Sequence, residues 1–241
     1  MWIMSEGSWW STTESPKGWM SVRDADLFEE LLHRMAVRAR GARLGVVEWG
    51  AGRSTVWYTA FLELLKVPYC WLAIEHDGRY FRSEIAHQLG NRSNATILGG
   101  SDGVPRSTRT LLDAGGLVVI LFDAGELWPS EVGHELDRTV DLDTYVALPA
   151  QLQFDYDLAV VDGRKRRRCL LEAARNVKAG GYAVLHDAWR RHYHCAWDGF
   201  QSGRRFGDEW WIGSQAITDF SDVLPWHAFE RHVNADPIVL P

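Results

Sequence analysis

Two glycines, one residue apart, follow an acid in the stretch 48–55, which reads EWGAGRST. The apolar residues before Glu48 predict a buried strand, and the residues after Gly52 predict the start of a helix. A turn without side chains lets the backbone approach a ligand, and the start of a helix attracts negative charge. The turn that contains Gly50 and Gly52 is therefore a candidate ligand site.

The acid before the glycines restricts the kind of ligand that this turn suits. Glu48 would repel a pyrophosphate, and a dinucleotide site would normally carry a third Gly or Ala where this chain has Thr55. A ligand with an ammonium or sulfonium centre would be attracted instead. The next apolar run ends at Glu75 and His76, where a carboxylate can bind both hydroxyls of a ribose. A ribose and a cation together suggest S-adenosylmethionine as cofactor, and the alternative is a structural turn with solvent-facing acids.

A second group of polar residues follows two later apolar runs. Asp162 ends one run and precedes five cations at 164–168, and His186 and Asp187 end the other. A neutral alcohol is a weak nucleophile unless a base removes its proton, and Lys165, His186 and Asp187 are candidate bases. In the alternative interpretation, the cations form a solvated face that pairs with nearby acids.

Tryptophan is the one unusual feature of the composition, with 13 in the chain and five of them between residues 189 and 226. Trp189, Trp210 and Trp211 offer apolar faces and His192 offers a hydrogen-bonding group, a mixture that suits a sugar ring. We therefore predict a substrate-binding role for these four residues. The alternative is packing in the core or at an interface, with the paired tryptophans forming a dimer contact.

Strands that alternate with helices must position these groups, which predicts an α/β fold. We expect a Rossmann-like, doubly wound, mostly parallel sheet with helices on both faces. Ligands of such sheets bind outside the carboxyl ends of the strands. Four predicted strand ends carry acids there, namely Glu48, Glu75, Asp162 and Asp187.

The predicted organisation has three parts. We expect an N-terminal arm or lid over 1–20, the Rossmann-like domain over 21–195, and a Trp-rich substrate or dimer segment over 196–241. The third strand is ambiguous because residues 95–98 and 117–122 both form apolar runs. We prefer the second run because it is longer and richer in β-branched residues, which makes about 91–116 an insertion.

Length, charge and cysteine content exclude several classes of protein. The 241 residues suit one large domain or a domain with a lid, and a net charge of −6 argues against a nucleic-acid partner. No run approaches the twenty apolar residues of a membrane span, and the N-terminus lacks the basic region of a secretory signal. Three widely spaced cysteines are typical of reduced thiols, so we expect a cytoplasmic protein.

The order of the motifs resembles that of class I S-adenosylmethionine-dependent methyltransferases. The matching stretches are E-x-G-x-G-x-S-T, IEHD, YDLAVVDGRKRRRC and AGGYAVLHDAWR, within about 17–195. The lead-in at 16–21 is similar to that of small-molecule O-methyltransferases, including those that act on sugars and sugar-bearing natural products. The resemblance implies that Gly50 and Gly52 approach the methionine part of the cofactor, that Glu75 binds its ribose, and that Ser54 and Thr55 lie near its carboxylate.

The spacing from Asp162 to Lys165 is similar to that of metal-dependent catechol-type O-methyltransferases. In that family the Asp ligates a divalent ion and the Lys acts as base. Asp187 matches the second metal carboxylate, but the match stops at Ala188, and His186 is an alternative ligand or base. Magnesium keeps several waters and needs only one or two protein carboxylates. The resemblance therefore leaves two alternatives, a magnesium ion at Asp162 and Asp187 or base catalysis without a metal.

We expect an S-adenosylmethionine-dependent O-methyltransferase that forms a homodimer and acts on a hydroxyl of a small molecule. A carbohydrate or a glycosylated metabolite is the favoured acceptor. The first alternative is an aminopropyltransferase-like enzyme, although the cations at 164–168 do not suit a polyamine substrate. The second is a noncatalytic S-adenosylmethionine-binding protein, which would have no use for Asp162, Lys165 and His186.

Overall fold

The computed structural model describes residues 17–18, 20–100, 103–124 and 140–230. The strands of this part of the chain are β1 Leu44–Trp49, β2 Tyr69–Glu75, β3 Ala95–Gly99, β4 Gly116–Leu121, β5 Tyr156–Val161, β6 Val177–Leu185, β7 Ser202–Phe206 and β8 Trp210–Ser214. The helices are α1 Val22–Ala39, α2 Arg53–Leu64, α3 Gly78–Tyr80, α4 Ala86–Leu89, α5 Ser107–Ala114, α6 Asp143–Gln151 and α7 Arg166–Asn176, with a π-helical turn Phe81–Ile85 and 3₁₀ segments Arg191–Gly199 and Trp226–Phe229.

The eight strands form one sheet in the order β3-β4-β2-β1-β5-β6-β8-β7. The first six of these strands run parallel, and β8 runs antiparallel to both β6 and β7. The chain passes from β1 to β2 on one side and later returns to β5 on the other, so the strand order reverses at β1. This confirms the predicted doubly wound α/β fold, and it places a crevice at the carboxyl ends of β1, β2 and β5.

The sheet has an apolar cluster on each face. Successive residues of a strand point to opposite faces, and Val46 accordingly belongs to one cluster and Val47 to the other. Helices α1 and α2 cover the first face, and α5, α6 and α7 cover the second. The prediction of helices on both faces is confirmed.

Helix α1 begins after Ser21, which caps it. Ser21 Oγ accepts a hydrogen bond from the backbone N–H of Asp24 at 3.1 Å, which satisfies one of the free donors at the helix start. Leu27, Phe28 and Leu31 follow at helical spacing and are buried. The helix is therefore fixed to the sheet by its apolar face.

The preference for a single third strand was wrong, since both apolar runs are strands. β3 lies at the sheet edge and pairs in parallel with β4, from Ala95 opposite Leu117 to Gly99 opposite Leu121. Helix α5 connects the two strands. The stretch 91–116 is thus a strand–helix unit of the sheet rather than an insertion. Its strand was hard to recognise because an edge strand is only partly buried, and Ile97 is exposed.

The predicted domain boundary at residue 195 also needs correction, because β7 and β8 are the last two strands of the same sheet. The predicted arm over 1–20 lies outside the described residues except for Lys17, Gly18 and Met20, and 231–241 lie outside them as well. Met20 is buried in the core, where the hydroxyl of Tyr58 lies 3.4 Å from its sulfur.

Two further expectations can be compared with the described residues. Among the helices within them, none has both the length and the apolar character that crossing a bilayer requires. Cys70, Cys169 and Cys195 are free thiols, as the sequence predicted.

Candidate active site

The two glycines of the turn after β1 serve different purposes. Gly50 has φ +104°, and a Cβ on it would lie 2.4 Å from the backbone nitrogen of Gly163, in the turn after β5. Glycine is therefore required at Gly50 because two backbone segments touch. A Cβ on Gly52, by contrast, would meet no atom of the described chain within 4 Å. The open side of Gly52, at the start of α2, is where a ligand can approach the backbone.

Glu48 is used inside the protein. Its buried carboxylate accepts hydrogen bonds from Ser54 Oγ at 3.0 Å, Thr55 Oγ1 at 2.7 Å and Trp71 Nε1 at 2.8 Å. Thr55 Oγ1 also accepts from the N–H of Gly52 at 2.9 Å. Burial raises the pKa of Glu48 to about 7, although the three hydrogen bonds that it accepts oppose that rise.

This network gives three predicted cofactor residues a structural role, and their contact with a cofactor stays a prediction. Ser54 and Thr55 each donate a hydrogen bond to one oxygen of Glu48. These bonds fix the shape of the turn after β1. Sequence alone could not show this, because Trp71, which completes the network, lies on the neighbouring strand β2.

Glu75 is a buried carboxylate at the carboxyl end of β2, next to β1. Its Oε1 accepts the N–H of Asp77 at 2.8 Å and lies 2.7 Å from Nδ1 of His76. Both contacts use the same oxygen. The carboxylate is therefore held in a fixed position with Oε2 as the oxygen that neither contact uses.

A cavity of about 590 Å³ lies beyond the ends of β2 and β4. Its lining residues are Asp77, Arg79, Arg82, Ser83 and Asp123. Asp77 is two residues after Glu75, and Asp123 accepts a hydrogen bond from Arg82 at 3.1 Å. The cavity has the volume of a small-molecule site and charged groups of both signs.

His186 lies at the centre of a second polar group, at the carboxyl ends of β5 and β6. It is 4% exposed, and its Nδ1 lies 2.9 Å from Asp162 Oδ1. Its Nε2 lies 3.0 Å from Oε2 of Glu209, in the turn between β7 and β8, but the two atoms do not form a hydrogen bond. Burial alone would lower the pKa of His186, but the charge and hydrogen bond of Asp162 and the contact with Glu209 outweigh it and raise the pKa to about 10. With no ion bound, this raised pKa favours the protonated ring over the neutral ring that the predicted base requires.

Arg166 is the cation that joins the ends of β5 and β6. Its Nη1 donates to Asp187 Oδ2 at 2.8 Å and to the carbonyl of His186 at 2.9 Å. Its Nη2 lies 3.0 Å from Asp162 Oδ1, and its Nε donates to the carbonyl of Gly163 at 2.9 Å. Burial raises the pKa of Asp162, but the charges of His186 and Arg166 outweigh this effect and lower it.

These contacts bear directly on the predicted magnesium site. The carboxylates of Asp162 and Asp187 share a guanidinium, and Asp187 pairs with Arg190 as well, at 3.0 Å. A magnesium ion held by this pair alone is therefore not supported by the geometry. Lys165, the predicted base, is the half-buried residue before α7 and has a left-handed backbone with φ +52°. Sequence analysis noted the cations at 164–168 but did not single out Arg166.

Asp24 fixes the turn that carries Glu209. The Asp24 side chain is fully buried and accepts the N–H of Asp208 at 2.7 Å and that of Glu209 at 3.0 Å. A Cβ on Gly207 would lie 2.0 Å from Asp24 Oδ1, so the turn needs glycine there. Burial raises the pKa of Asp24 to about 6 against the effect of these hydrogen bonds. Sequence analysis did not identify Asp24, because its partners lie more than 180 residues away.

The predicted role of Trp210 and Trp211 in binding a substrate or forming a dimer contact needs correction. Trp210 and Trp211 are 1% and 2% exposed, since β8 is an inner strand and its successive side chains enter opposite core clusters. Trp210 stacks on Phe28 with 5.2 Å between ring centroids, and Trp211 stacks on Trp197 at 5.4 Å.

Two predicted acceptor residues keep some exposure. Trp189 is half-buried with the guanidinium of Arg190 5.1 Å from its ring, and His192 is exposed. A role in acceptor binding stays a prediction for these two residues.

No protein-family model and no curated protein matches this chain. Among solved structures, a methyltransferase-like protein from Silicibacter pomeroyi is similar, with 20% identity over 82% of this chain and 95% of that chain and a TM-score of 0.48. A probable spermidine synthase from Corynebacterium glutamicum has 12% identity over 84% of this chain and 67% of its own, with a TM-score of 0.40. A carbon methyltransferase, DszA, has 15% identity over 81% and 55%, with a TM-score of 0.41. At these values the assignment of the fold rests on the strand order of this chain's own sheet.

Proposed function

We propose that this chain is an S-adenosylmethionine-dependent methyltransferase that acts on a hydroxyl of a small molecule. The observation that carries the proposal is a fixed, buried carboxylate, Glu75, one strand away from the open side of Gly52. Both lie at the carboxyl end of a doubly wound sheet, at the point where the strand order reverses.

The chain's residues fit such a cofactor along its length. Glu75 would accept hydrogen bonds from the ribose hydroxyls, and the cavity at Asp77 and Asp123 has room for the base. The open backbone at Gly52 leaves space for the amino-acid end, and the start of α2 favours its carboxylate. The cofactor supplies a methyl group on a cationic sulfur, and the protein supplies position and a better nucleophile.

The acceptor hydroxyl would be activated at the ends of β5 and β6. Asp162, Asp187 and Glu209 are the partly exposed carboxylates of that group, and their side chains are 24%, 15% and 35% exposed. A carbohydrate acceptor stays the favoured one, but its support is reduced to Trp189 and His192, because Trp210 and Trp211 are buried.

The aminopropyltransferase alternative is less compatible with this group. A polyamine needs acids that no cation neutralises, whereas Asp187 already pairs with Arg166 and Arg190. The noncatalytic alternative predicts cofactor binding without turnover on any acceptor.

Calorimetry with S-adenosylhomocysteine tests the proposal. The wild-type protein should bind it, and Glu75→Gln should weaken binding by about 1.5–3 kcal/mol, because charge-assisted hydrogen bonds are lost. Glu84→Gln is the matched control, since Glu84 is an exposed glutamate on the adjoining helical segment.

Three results would argue against parts of this proposal. Equal affinity of Glu75→Gln and wild type would remove the ribose assignment. Binding of NAD without S-adenosylhomocysteine would overturn the cofactor. If S-adenosylmethionine is not converted to S-adenosylhomocysteine with any of a panel of free and glycosylated alcohols, the noncatalytic alternative is favoured.

A further inference from the structure

Three side chains from separate parts of the chain converge at the end of β6. His186, Asp187 and Glu209 each offer one nitrogen or oxygen atom, and these atoms all lie within 4.8 Å of one another. His186 and Asp187 follow β6, whereas Glu209 lies in the turn before β8. We call these three residues the β6 cluster.

The histidine of the β6 cluster carries a buried nitrogen that makes no hydrogen bond to the described residues and lies close to both carboxylates. Nε2 of His186 is buried and makes no hydrogen bond within the described part of the chain, although Glu209 Oε2 lies 3.0 Å away. The opposite nitrogen, Nδ1, is held by Asp162 at 2.9 Å. A histidine that ligates a metal usually has its second nitrogen bound to a carboxylate in this way.

The local charges favour a cation. Asp162, Asp187 and Glu209 bring three negative charges, and the side chains that pair with Asp187 bring two positive ones, Arg166 and Arg190. These carboxylates and arginines leave one negative charge, which the proton of His186 offsets when no ion is bound, so a bound ion would replace that proton. Both arginines contact Oδ2 of Asp187, so its Oδ1 is the oxygen that those two ion pairs do not use.

The fold holds the ligands in place without an ion. Asp24 fixes the backbone of Glu209 at 3.0 Å, and the ring of His186 packs against Trp210 with 4.8 Å between centroids. Ligands that are already positioned lose little conformational entropy when they bind an ion.

We propose that His186 Nε2, Asp187 and Glu209 bind a divalent transition-metal ion, with zinc as the best match, and that Asp162 supports the histidine. An imidazole with two carboxylates suits zinc, whereas magnesium prefers oxygen ligands alone. This ligand set differs from an Asp162–Asp187 pair, because Asp162 lies behind the histidine. An ion held by these three residues would supply a positive charge that lowers the pKa of a nearby acceptor hydroxyl. The catalytic role rests on the proposed function, but zinc binding does not.

The test is zinc binding by the full chain after removal of metal with a chelator. Calorimetry with zinc chloride should give one equivalent bound, and the same titration with magnesium chloride should give far weaker binding. His186→Gln and Glu209→Gln should each lower zinc affinity by more than about tenfold, and Asp162→Asn by about 10–100-fold. His87→Gln and Glu84→Gln are matched controls, because both residues are exposed and lie away from the β6 cluster.

Circular dichroism of each metal-free variant checks that it is folded. Should His186→Gln not fold, Glu209→Gln still decides the matter, because the substitution keeps the backbone N–H that Asp24 binds. The proposal is overturned if wild type binds no zinc, or if both ligand variants bind it as tightly as wild type. Zinc binding without S-adenosylhomocysteine binding would instead keep this site and reject the methyltransferase, and the opposite pair of results would reject this site alone.

Discussion

Two groups of buried polar residues lie at the same edge of one sheet and differ in what they leave free. Below the turn after β1, Glu48, Ser54, Thr55 and Trp71 form what we call the β1 network, in which both carboxylate oxygens of Glu48 accept hydrogen bonds. In the β6 cluster, Nε2 of His186 has no hydrogen-bond partner among the described residues. A buried polar side chain at a strand end thus indicates a ligand when the fold leaves one of its polar atoms without a hydrogen bond.

The largest effect is expected at Arg166, because the order of the β6 cluster depends on this partly buried cation. Arg166→Met should destabilise the protein by about 3–5 kcal/mol, since Asp162 and Asp187 would lose the charge that they share. Urea denaturation measures the free energy of unfolding, with the exposed neighbour Arg167→Met as control. A decrease of less than about 1 kcal/mol in the free energy of unfolding would mean that the cluster does not depend on this ion pair. Such a value lies well below the range for broken buried pairs.

The next effect concerns the β1 network and its dependence on pH. The pKa of Glu48 is raised from 4.5 to about 7 in the folded protein, so between these values the folded state binds more protons than the unfolded state. Stability due to Glu48 is therefore present below pH 4.5 and lost as the pH rises toward 7, by about 2–3 kcal/mol.

Urea denaturation of wild type and Glu48→Gln across pH 4.5–7.5 isolates this contribution, because other groups cancel in the difference. The stability of wild type relative to Glu48→Gln should fall as the pH rises. A difference that stays constant would show that the hydrogen bonds of the β1 network keep Glu48 ionised throughout.

The smallest effects separate the two hydroxyls of the β1 network. Thr55→Val should cost about 1–3 kcal/mol, because it removes a buried donor to Glu48 and the acceptor for Gly52. Ser54→Ala should cost about 0.5–1.5 kcal/mol, since Ser54 is half-buried and makes one such bond. Neither change should alter zinc affinity, and a change in zinc affinity for Ser54→Ala would contradict the separation of the two groups.

Sequence predicted most of the strands that read as continuous apolar runs and missed β3 at one sheet edge and the last two strands, β7 and β8. β1, β2, β4 and β5 read as continuous apolar runs because helices cover both sides of them. β7 contains two arginines and lies at the sheet edge, so its sequence carries no such run. Because β8 was not recognised as a strand of the sheet, its paired tryptophans were predicted to bind a substrate or form a dimer contact.

Part of the candidate site could be predicted from the sequence and part of it could not. The acids at the strand ends could be predicted, because apolar runs end at Glu48, Glu75 and Asp162. Their hydrogen-bond partners could not, since these partners come from distant parts of the chain. Asp24 reaches Glu209 across 185 residues, and no local pattern carries that information.

The contact between Gly50 and Gly163 has a consequence for ligand binding. The two turns touch backbone to backbone, and the carbonyl of Gly163 accepts a hydrogen bond from Arg166, which holds Asp187. A ligand that shifts the turn after β1 therefore also shifts the residues around the β6 cluster. We expect this contact to couple binding at the two places, and such linkage is reciprocal. If S-adenosylhomocysteine changes zinc affinity by some factor, zinc must change S-adenosylhomocysteine affinity by the same factor.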